Sequence, residues 1–328
     1  MKIVVDAMGG DYAPQAPVQG VVSFAQEHPG VTFYLVGDET QIRALDVALP
    51  SNVEVVHAPT VIESTDEPVR AVRRKSDSSL VMAAKMVREG EADAMLSAGN
   101  TGALVAAGLL VIGRLQGIER PALAPVLPTF TGGGVLLLDA GATMDTTSEN
   151  LLQFAHMGAA YSRYVLGVDK PRVGLLNVGT EEGKGNALTK AAYPLLKDAD
   201  LNFVGNIEAR ELMNGSCDVV VCDGFAGNVV LKLVEGVGLG IFGALKEALT
   251  TTTTAKLAAA VLKPSLRKFR DRFDYAEYGG APFLGVAGGC IKAHGSSNER
   301  AWYTALRQAV RFVEEGLLEK MSVSLNRS

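Results

Sequence analysis

The residues best suited to chemistry begin at Ser97-Ala-Gly-Asn-Thr-Gly102, between a short apolar run at Ala94–Leu96 and a small-residue run to Gly108. A strand feeding a Gly-rich turn at a helix start leaves several backbone N–H groups unpaired and pointing one way. With the positive end of the helix dipole they form an anion site. In this reading Ser97, Asn100 and Thr101 add polar side chains, while Gly99 and Gly102 let a ligand approach the backbone closely. A corner of this kind is equally a packing device, so the argument rests on repetition.

The device recurs. Asp6-Ala-Met-Gly-Gly-Asp11 follows the first apolar run and adds Asp6, Gly9 and Gly10 to the phosphate-binding set. Leu176–Asn186 carries Lys184, Val221–Asn228 ends on Asn228, and Ile291–Ser297 carries Lys292 and His294. Five polar turns at strand C-termini converge on one sheet edge if the strands run parallel, and that edge is where α/β proteins bind ligands.

The known signatures are approached and missed. Gly179-Thr-Glu-Glu-Gly-Lys-Gly185 is no phosphate-binding P-loop, and Asp6–Asp11 is no dinucleotide fingerprint. No His-Glu-x-x-His set or Gly-x-Ser-x-Gly elbow is present, so neither metal nor cofactor is expected. Cys217, Cys222 and Cys290 lie in apolar surroundings and are read as buried, inert thiols. What remains as catalytic candidates is Lys184, Lys292, His294 and Asn228, with no covalent nucleophile. Such a set suits a reaction in which bound phosphate is itself the nucleophile, the protein holding the anion and stabilising charge on an acceptor carbonyl. His294 is read either as part of that chemistry or as a structural histidine beside a turn. Lys184 attracts attention because two glycines flank it.

The elements that must position these residues alternate. Strands near Lys2–Val5, Thr32–Val36, Val53–His57, Asp93–Leu96, Val173–Asn177, Asn202–Val204 and Asp218–Cys222 are separated by helical patterns near 14–26, 40–49, 78–89, 149–165 and 187–197. Continuous runs such as Val219-Val-Val221 predict strands covered on both faces, hence a doubly wound, mostly parallel sheet sandwiched by helices. Pro121, Pro125 and Pro128 bracket Ala122–Leu127, which is expected to pair centrally with Val135–Asp139. One α/β domain over 1–328 accounts for the length.

Of the 328 residues 48% are hydrophobic and 20% charged, and the net charge is −5, which offers no basic field for nucleic acid. The N-terminus starts on a strand with no visible export signal, and no uninterrupted apolar run is long enough to predict a spanning helix, so a cytoplasmic protein is expected. Val229–Leu249 is apolar nearly all round and carries Gly236, Gly238, Gly240 and Gly243. It is read either as a core helix or as one shared with a second subunit. Lys256, Lys263, Arg267, Lys268, Arg270 and Arg272 face only Asp271, a local charge of +5, and interleave with Leu257, Val261, Leu262, Leu266, Phe269 and Phe273. This reads as a protruding basic amphipathic hairpin at about 250–273, divided by Pro264, for an anionic lipid surface.

Seven stretches carry a resemblance: Val4–Asp11, Asp66–Lys75, Ser97–Ala103, Arg120–Pro125, Leu175–Glu181, Cys222–Val229 and Lys292–Ser297. Together they resemble the PlsX family of bacterial phosphate acyltransferases, over Lys2 to about Arg311. The resemblance implies a fold similar to phosphotransacetylases and isocitrate/isopropylmalate dehydrogenases. It implies conversion of acyl-[acyl carrier protein] and orthophosphate to acyl-phosphate and free carrier protein, for phospholipid synthesis. It also implies a homodimer, peripherally associated with the inner face of the cell membrane, delivering product to the membrane glycerol-3-phosphate acyltransferase. The acidic carrier protein would meet Arg70, Arg73, Arg74 and Lys75, the densest basic cluster near a predicted mouth loop. Two rivals stay open: a CoA-dependent phosphotransacetylase or nicotinamide-dependent dehydrogenase on the same fold, and a non-catalytic scaffold that docks at membranes.

Overall fold

The computed structural model describes residues 1–272 and 279–325, so Phe273 of the basic segment lies outside the described residues, as do the side chains of Lys268, Arg270 and Arg272. The chain builds two sheets, where the strand pattern alone predicts one. The first contains β1 (Lys2–Asp6), β2 (Thr32–Gly37), β3 (Val53–His57), β4 (Ala94–Ser97) and β5 (Ala122–Leu123). The second contains β6 (Val126–Pro128), β7 (Gly134–Leu138), β8 (Val173–Asn177), β9 (Phe203–Glu208) and β10 (Val219–Val221). The chain then returns to the first sheet with β11 (Ala281–Leu284) and β12 (Gly289–Lys292). The strand orders are β3-β2-β1-β4-β12-β11-β5 and β6-β7-β10-β8-β9. All pairings are parallel except those of β11 with β12 and β5, and of β6 with β7.

The split occurs within two residues. The Ala124 N–H donates to the Pro282 carbonyl of the first sheet, while the Pro125 carbonyl accepts from Leu137 N–H of the second. Ala122–Leu127 is therefore two strands in two sheets, and its second half pairs with β7 at a sheet edge and not centrally.

The helices are α1 (Gln15–Glu27), α2 (Glu39–Arg43), α3 (Pro68–Arg74), α4 (Ser79–Arg88), α5 (Thr101–Ala107), α6 (Ser148–Tyr164) and α7 (Ala187–Asp198). The last four are α8 (Gly224–Ala248), α9 (Thr253–Arg272), α10 (Glu299–Glu314) and α11 (Leu317–Leu325). On β1, Ile3 and Val5 pack with Val21 of α1 and Trp302 of α10, while Val4 packs with Leu80 and Ala84 of α4. That alternation buries both faces of a parallel strand and explains its unbroken apolar sequence. One face of the second sheet is covered by α6, α7 and α11, and the other by the start of α8 and the short turn of helix at Ala209–Asn214.

Beyond its first turns α8 leaves the body. Leu239 is 71% exposed, and a Cβ placed on Gly236, Gly238, Gly240 or Gly243 would meet nothing within 4 Å. Reading α8 as a core helix of its own chain is therefore wrong: among the described residues nothing packs closely on these glycines. By length and composition α8 could cross a membrane, yet Asn228, Lys232 and Glu235 on it line a cleft of the same chain. α9 runs back along it as one helix, with Pro264 inside it and not dividing it. A mid-helix proline removes one backbone hydrogen bond, which the rest of a 20-residue helix absorbs as a local bend.

Candidate active site

Because β1, β4 and β12 are neighbours running the same way, three of the five turns lie side by side. They are stitched together by Asp11 N–H to the Gly295 carbonyl at 2.8 Å and Ala293 N–H to the Ser97 carbonyl at 2.9 Å. The inner part of this corner is solid. The Ser97 hydroxyl donates to Asp6 Oδ2 at 2.6 Å, Gly99 N–H donates to Ser97 Oγ at 3.0 Å, and Met8 N–H donates to Asp6 Oδ1 at 3.2 Å. A Cβ on Gly9 would stand 2.6 Å from the Gly99 nitrogen, and one on Gly10, at φ +102°, would stand 3.0 Å from Ala98 Cβ. Asp6, Gly9, Gly10, Ser97 and Gly99 thus serve as the packed foundation of the turns, and none of them lines the cleft beside it. Burial raises the Asp6 pKa against the pull of its hydrogen bonds and of Lys292.

Asn100 is also committed. Its Oδ1 accepts from Ala103 N–H at 3.0 Å, capping α5, and its amide donates to the carbonyls of Glu63, Ser64 and Asp66 at 3.2–3.3 Å. It ties the 63–66 loop to the α5 start and has no amide hydrogen to offer an anion. Thr101 and Gly102, one step on, do line the cleft.

That cleft, of 380 Å³, lies between the two sheets. The first sheet contributes Thr101, Gly102, Lys292 and His294; α8 contributes Asn228, Lys232 and Glu235; Leu127, Pro128 and Leu231 supply an apolar wall. Lys292 is 8% exposed, its Nζ donates to the Ala293 carbonyl, and burial pushes its pKa down to about 8, with Lys232 adding repulsion. Burial likewise lowers the pKa of His294. The Ser296 N–H donates to His294 Nδ1 at 3.2 Å, which makes Nδ1 an acceptor and leaves the proton of the neutral ring on Nε2. His294 is therefore a neutral imidazole with its proton on Nε2.

The opposite wall is held by Asp139, which the sequence reading passed over. It directly follows β7, fully buried, and its carboxylate accepts from the N–H groups of Leu123, Gly141, Ala142 and Thr143 at 2.6–3.2 Å. Burial nevertheless raises its pKa. The α8 start rests on this loop so closely that a Cβ on Gly227 would fall 1.8 Å from the Asp139 carbonyl oxygen. Asp223 caps the helix at Ala226 N–H, and Asn228 follows against Gly141. Lys232 and Glu235, joined at 2.7 Å, were also missed. Their signal was two opposite charges three apart on an otherwise apolar helix.

Lys184 does not line the cleft. Its turn follows β8, is held by Asn206 Nδ2 donating to the Glu181 carbonyl at 2.8 Å, and leaves the lysine exposed. Gly185, one of its flanking glycines, is explained by the turn itself: φ is +99° and a Cβ would meet Thr189 Oγ1 at 2.1 Å. Of the basic cluster, Arg70, Arg73 and Arg74 are exposed on α3, whose Pro68 packs on Gly102 beside the cleft. Lys75 is half-buried and bound to Asp66 at 2.5 Å and to the Val61 carbonyl at 3.0 Å, so it is a structural cation. Of the proposed lipid-facing set, Leu257, Val261 and Leu262 are exposed, whereas Leu266 and the half-exposed Phe269 turn toward α8. All three cysteines are buried.

The fold is shared with solved acyl-transfer enzymes. A phosphotransacetylase from Streptococcus pyogenes superposes with a TM-score of 0.63 at 15% identity, over 96% of this chain and 94% of that one. A branched-chain phosphotransacylase from Enterococcus faecalis gives 0.55 at 15% identity, over 95% and 99%. In sequence, a family model described as fatty acid synthesis protein matches residues 1–320. A phosphate acyltransferase of Brevibacillus brevis is 56% identical, over 100% of this chain and 98% of its own, and one of Bacillus licheniformis is 54% identical, over 97% and 96%. The chain belongs to the phosphate acyltransferase family and is an acyltransferase.

Proposed function

We propose that the enzyme converts acyl-[acyl carrier protein] and orthophosphate to acyl-phosphate and free carrier protein, and so supplies an activated acyl group for phospholipid synthesis. The observation that carries this reading is the facing of Lys292 and His294 by Asn228 and the Lys232–Glu235 pair across a cleft with an apolar wall of Leu127, Pro128 and Leu231. A phosphate oxygen attacks the thioester carbonyl carbon, the carbonyl oxygen becomes an oxyanion, and the C–S bond breaks to release the carrier thiolate. Thiolate is a good leaving group, so the step needs charge stabilisation more than a strong acid. Lys292 supplies a cation in a low-dielectric setting, His294 Nε2–H and the Asn228 amide supply neutral donors, and Thr101 and Gly102 at the α5 start hold the anion. Lys232, paired with Glu235 at 2.7 Å, adds a cation to the same cleft. The exposed Arg70, Arg73 and Arg74 beside the cleft suit an acidic carrier.

The same reading extends to assembly and place. The open face of α8 that bears Gly236, Gly240 and Gly243 suits a second copy, making a homodimer. The exposed apolar residues of α9, among Lys256, Lys263 and Arg267, suit an anionic membrane on the cytoplasmic side, where a membrane glycerol-3-phosphate acyltransferase would take the product.

The test is phosphate-dependent release of carrier thiol, with the acyl-phosphate captured as its hydroxamate. Turnover confined to acyl-CoA would favour a phosphotransacetylase instead. A stable acyl-enzyme formed without phosphate would contradict direct attack.

A further inference from the structure

We infer that the acyl chain of the substrate leaves the cleft along α8 and lies in a second, apolar groove whose depth sets the preferred chain length. The inference rests on the acyl-transfer reading above and adds where the chain goes.

The groove, of 320 Å³, shares Pro128 and Val234 with the cleft, so the two are consecutive parts of one path. Their chemistry differs. The cleft presents Lys292, His294, Lys232 and Glu235, whereas the groove is walled by Phe130, Met213, Val237, Ile241 and Phe242 with no charged lining residue among the described residues. A head that is polar and a tail that is not fit that order. The stripes on α8 follow helical spacing: Asn228, Lys232 and Glu235 face the cleft, and Val234, Gly238 and Ile241 face the groove.

Length agrees with a long chain. Asn228 and Phe242 are fourteen residues apart on α8, about 21 Å along its axis. One leaflet of a bilayer, which is one acyl chain deep, has a hydrocarbon thickness of about 15 Å, half that of the whole. At the far end Phe242 of α8 and Phe269 of α9 meet edge to face with ring centroids 6.0 Å apart, and both line the groove. The hairpin thus closes the path that α8 opens.

Gly238 is the position that measures the groove. It lines the wall, and a Cβ there meets nothing within 4 Å, so a larger side chain starts out into open groove space. Leucine also favours an exposed helix more than glycine does, so the variant keeps α8 intact.

The experiment compares wild type with Gly238→Leu and Gly238→Phe, using acyl thioesters from short to long chains and, separately, binding of the fluorescent fatty acid cis-parinaric acid. Each methylene kept from the groove weakens binding roughly fourfold. The expected result is a loss of at least tenfold in kcat/KM for long-chain donors, with short-chain donors unchanged and parinaric acid binding weakened to match. Should no donor of any length yield acyl-phosphate while the substitutions still block parinaric acid, the groove stands and the reaction assignment falls. An unchanged chain-length profile and unchanged parinaric acid binding overturn the inference. So does an equal loss for all chain lengths accompanied by a smaller species in size-exclusion chromatography, which would mark this face as a subunit interface.

Discussion

Lys292→Met separates a cation kept for chemistry from one kept for structure. At pH 7 the ammonium is below both its free value of 10.5 and its buried value of about 8, so it is charged in both states and the full cost of burying it is present. The gap between 10.5 and about 8 corresponds to about 3 kcal/mol, at about 1.36 kcal/mol per pH unit. Methionine fills much of the same space without that cost. The variant should therefore be more stable than wild type at pH 7, by up to about 3 kcal/mol in urea unfolding. Between pH 8 and 10.5 the unfolded wild-type chain binds a proton that the folded chain has lost, so wild-type stability rises with pH and the variant's advantage disappears. Activity should move the other way, with kcat/KM down by about 10²–10³, the scale of a lost oxyanion donor. The wild-type rate should fall as pH rises through about 8, and the variant's residual rate should lack that limb. A variant less stable than wild type at pH 7, or one with wild-type kcat/KM, refutes the reasoning.

His294→Ala should cost about 10²–10³ in kcat, and because burial lowers the imidazole pKa, the wild-type rate should fall on acidification only below the pH at which an ordinary imidazole gains its proton. Gly227→Ala, with its methyl 1.8 Å from a backbone oxygen, should lower stability by about 3 kcal/mol or more and distort the α8 start, measured by denaturant midpoint alongside activity. Charge reversal at Arg73 and Arg74 should raise KM for the acyl-carrier substrate more than KM for phosphate, with the difference shrinking in high salt. Leu257→Glu with Val261→Glu, at side chains 66% and 79% exposed, should abolish sedimentation with anionic vesicles while activity in solution persists.

The turns after β1, β4 and β12 could be read from the chain because strand, polar glycine turn and helix follow one another locally. Their division of labour could not. Ser97 is spent on Asp6, 91 positions away, and the Asn100 amide on carbonyls 34–37 positions earlier, so neither donor's fate is visible from its own surroundings. The single predicted sheet became two because one peptide step at Ala124–Pro125 exchanges partners, and no periodicity records that exchange. For α8 the even spread of apolar residues and glycines announced a helix with partners beyond its own turn, but not on which side of the chain's surface they would lie. The glycine beside Lys184 misled in the opposite sense: a backbone requirement of the turn looked like provision for a ligand.

A protein that holds acyl groups on good leaving groups risks becoming their acceptor. Thiolate is the obvious thief, since it exchanges readily with a thioester, and Cys222 lies six residues before Asn228, just ahead of the α8 cap. Burial denies it the charge it would need. Its Sγ–H points to the Asp139 carbonyl at 3.7 Å, beside Gly227, and its pKa is raised well above the usual thiol value. Cys217 and Cys290 are pushed up to about 12 for the same reason. With the thioester donor proposed above, keeping every thiol protonated and out of reach protects the enzyme from its own substrate, so alkylating reagents should leave the folded protein active and the acyl group should end on phosphate.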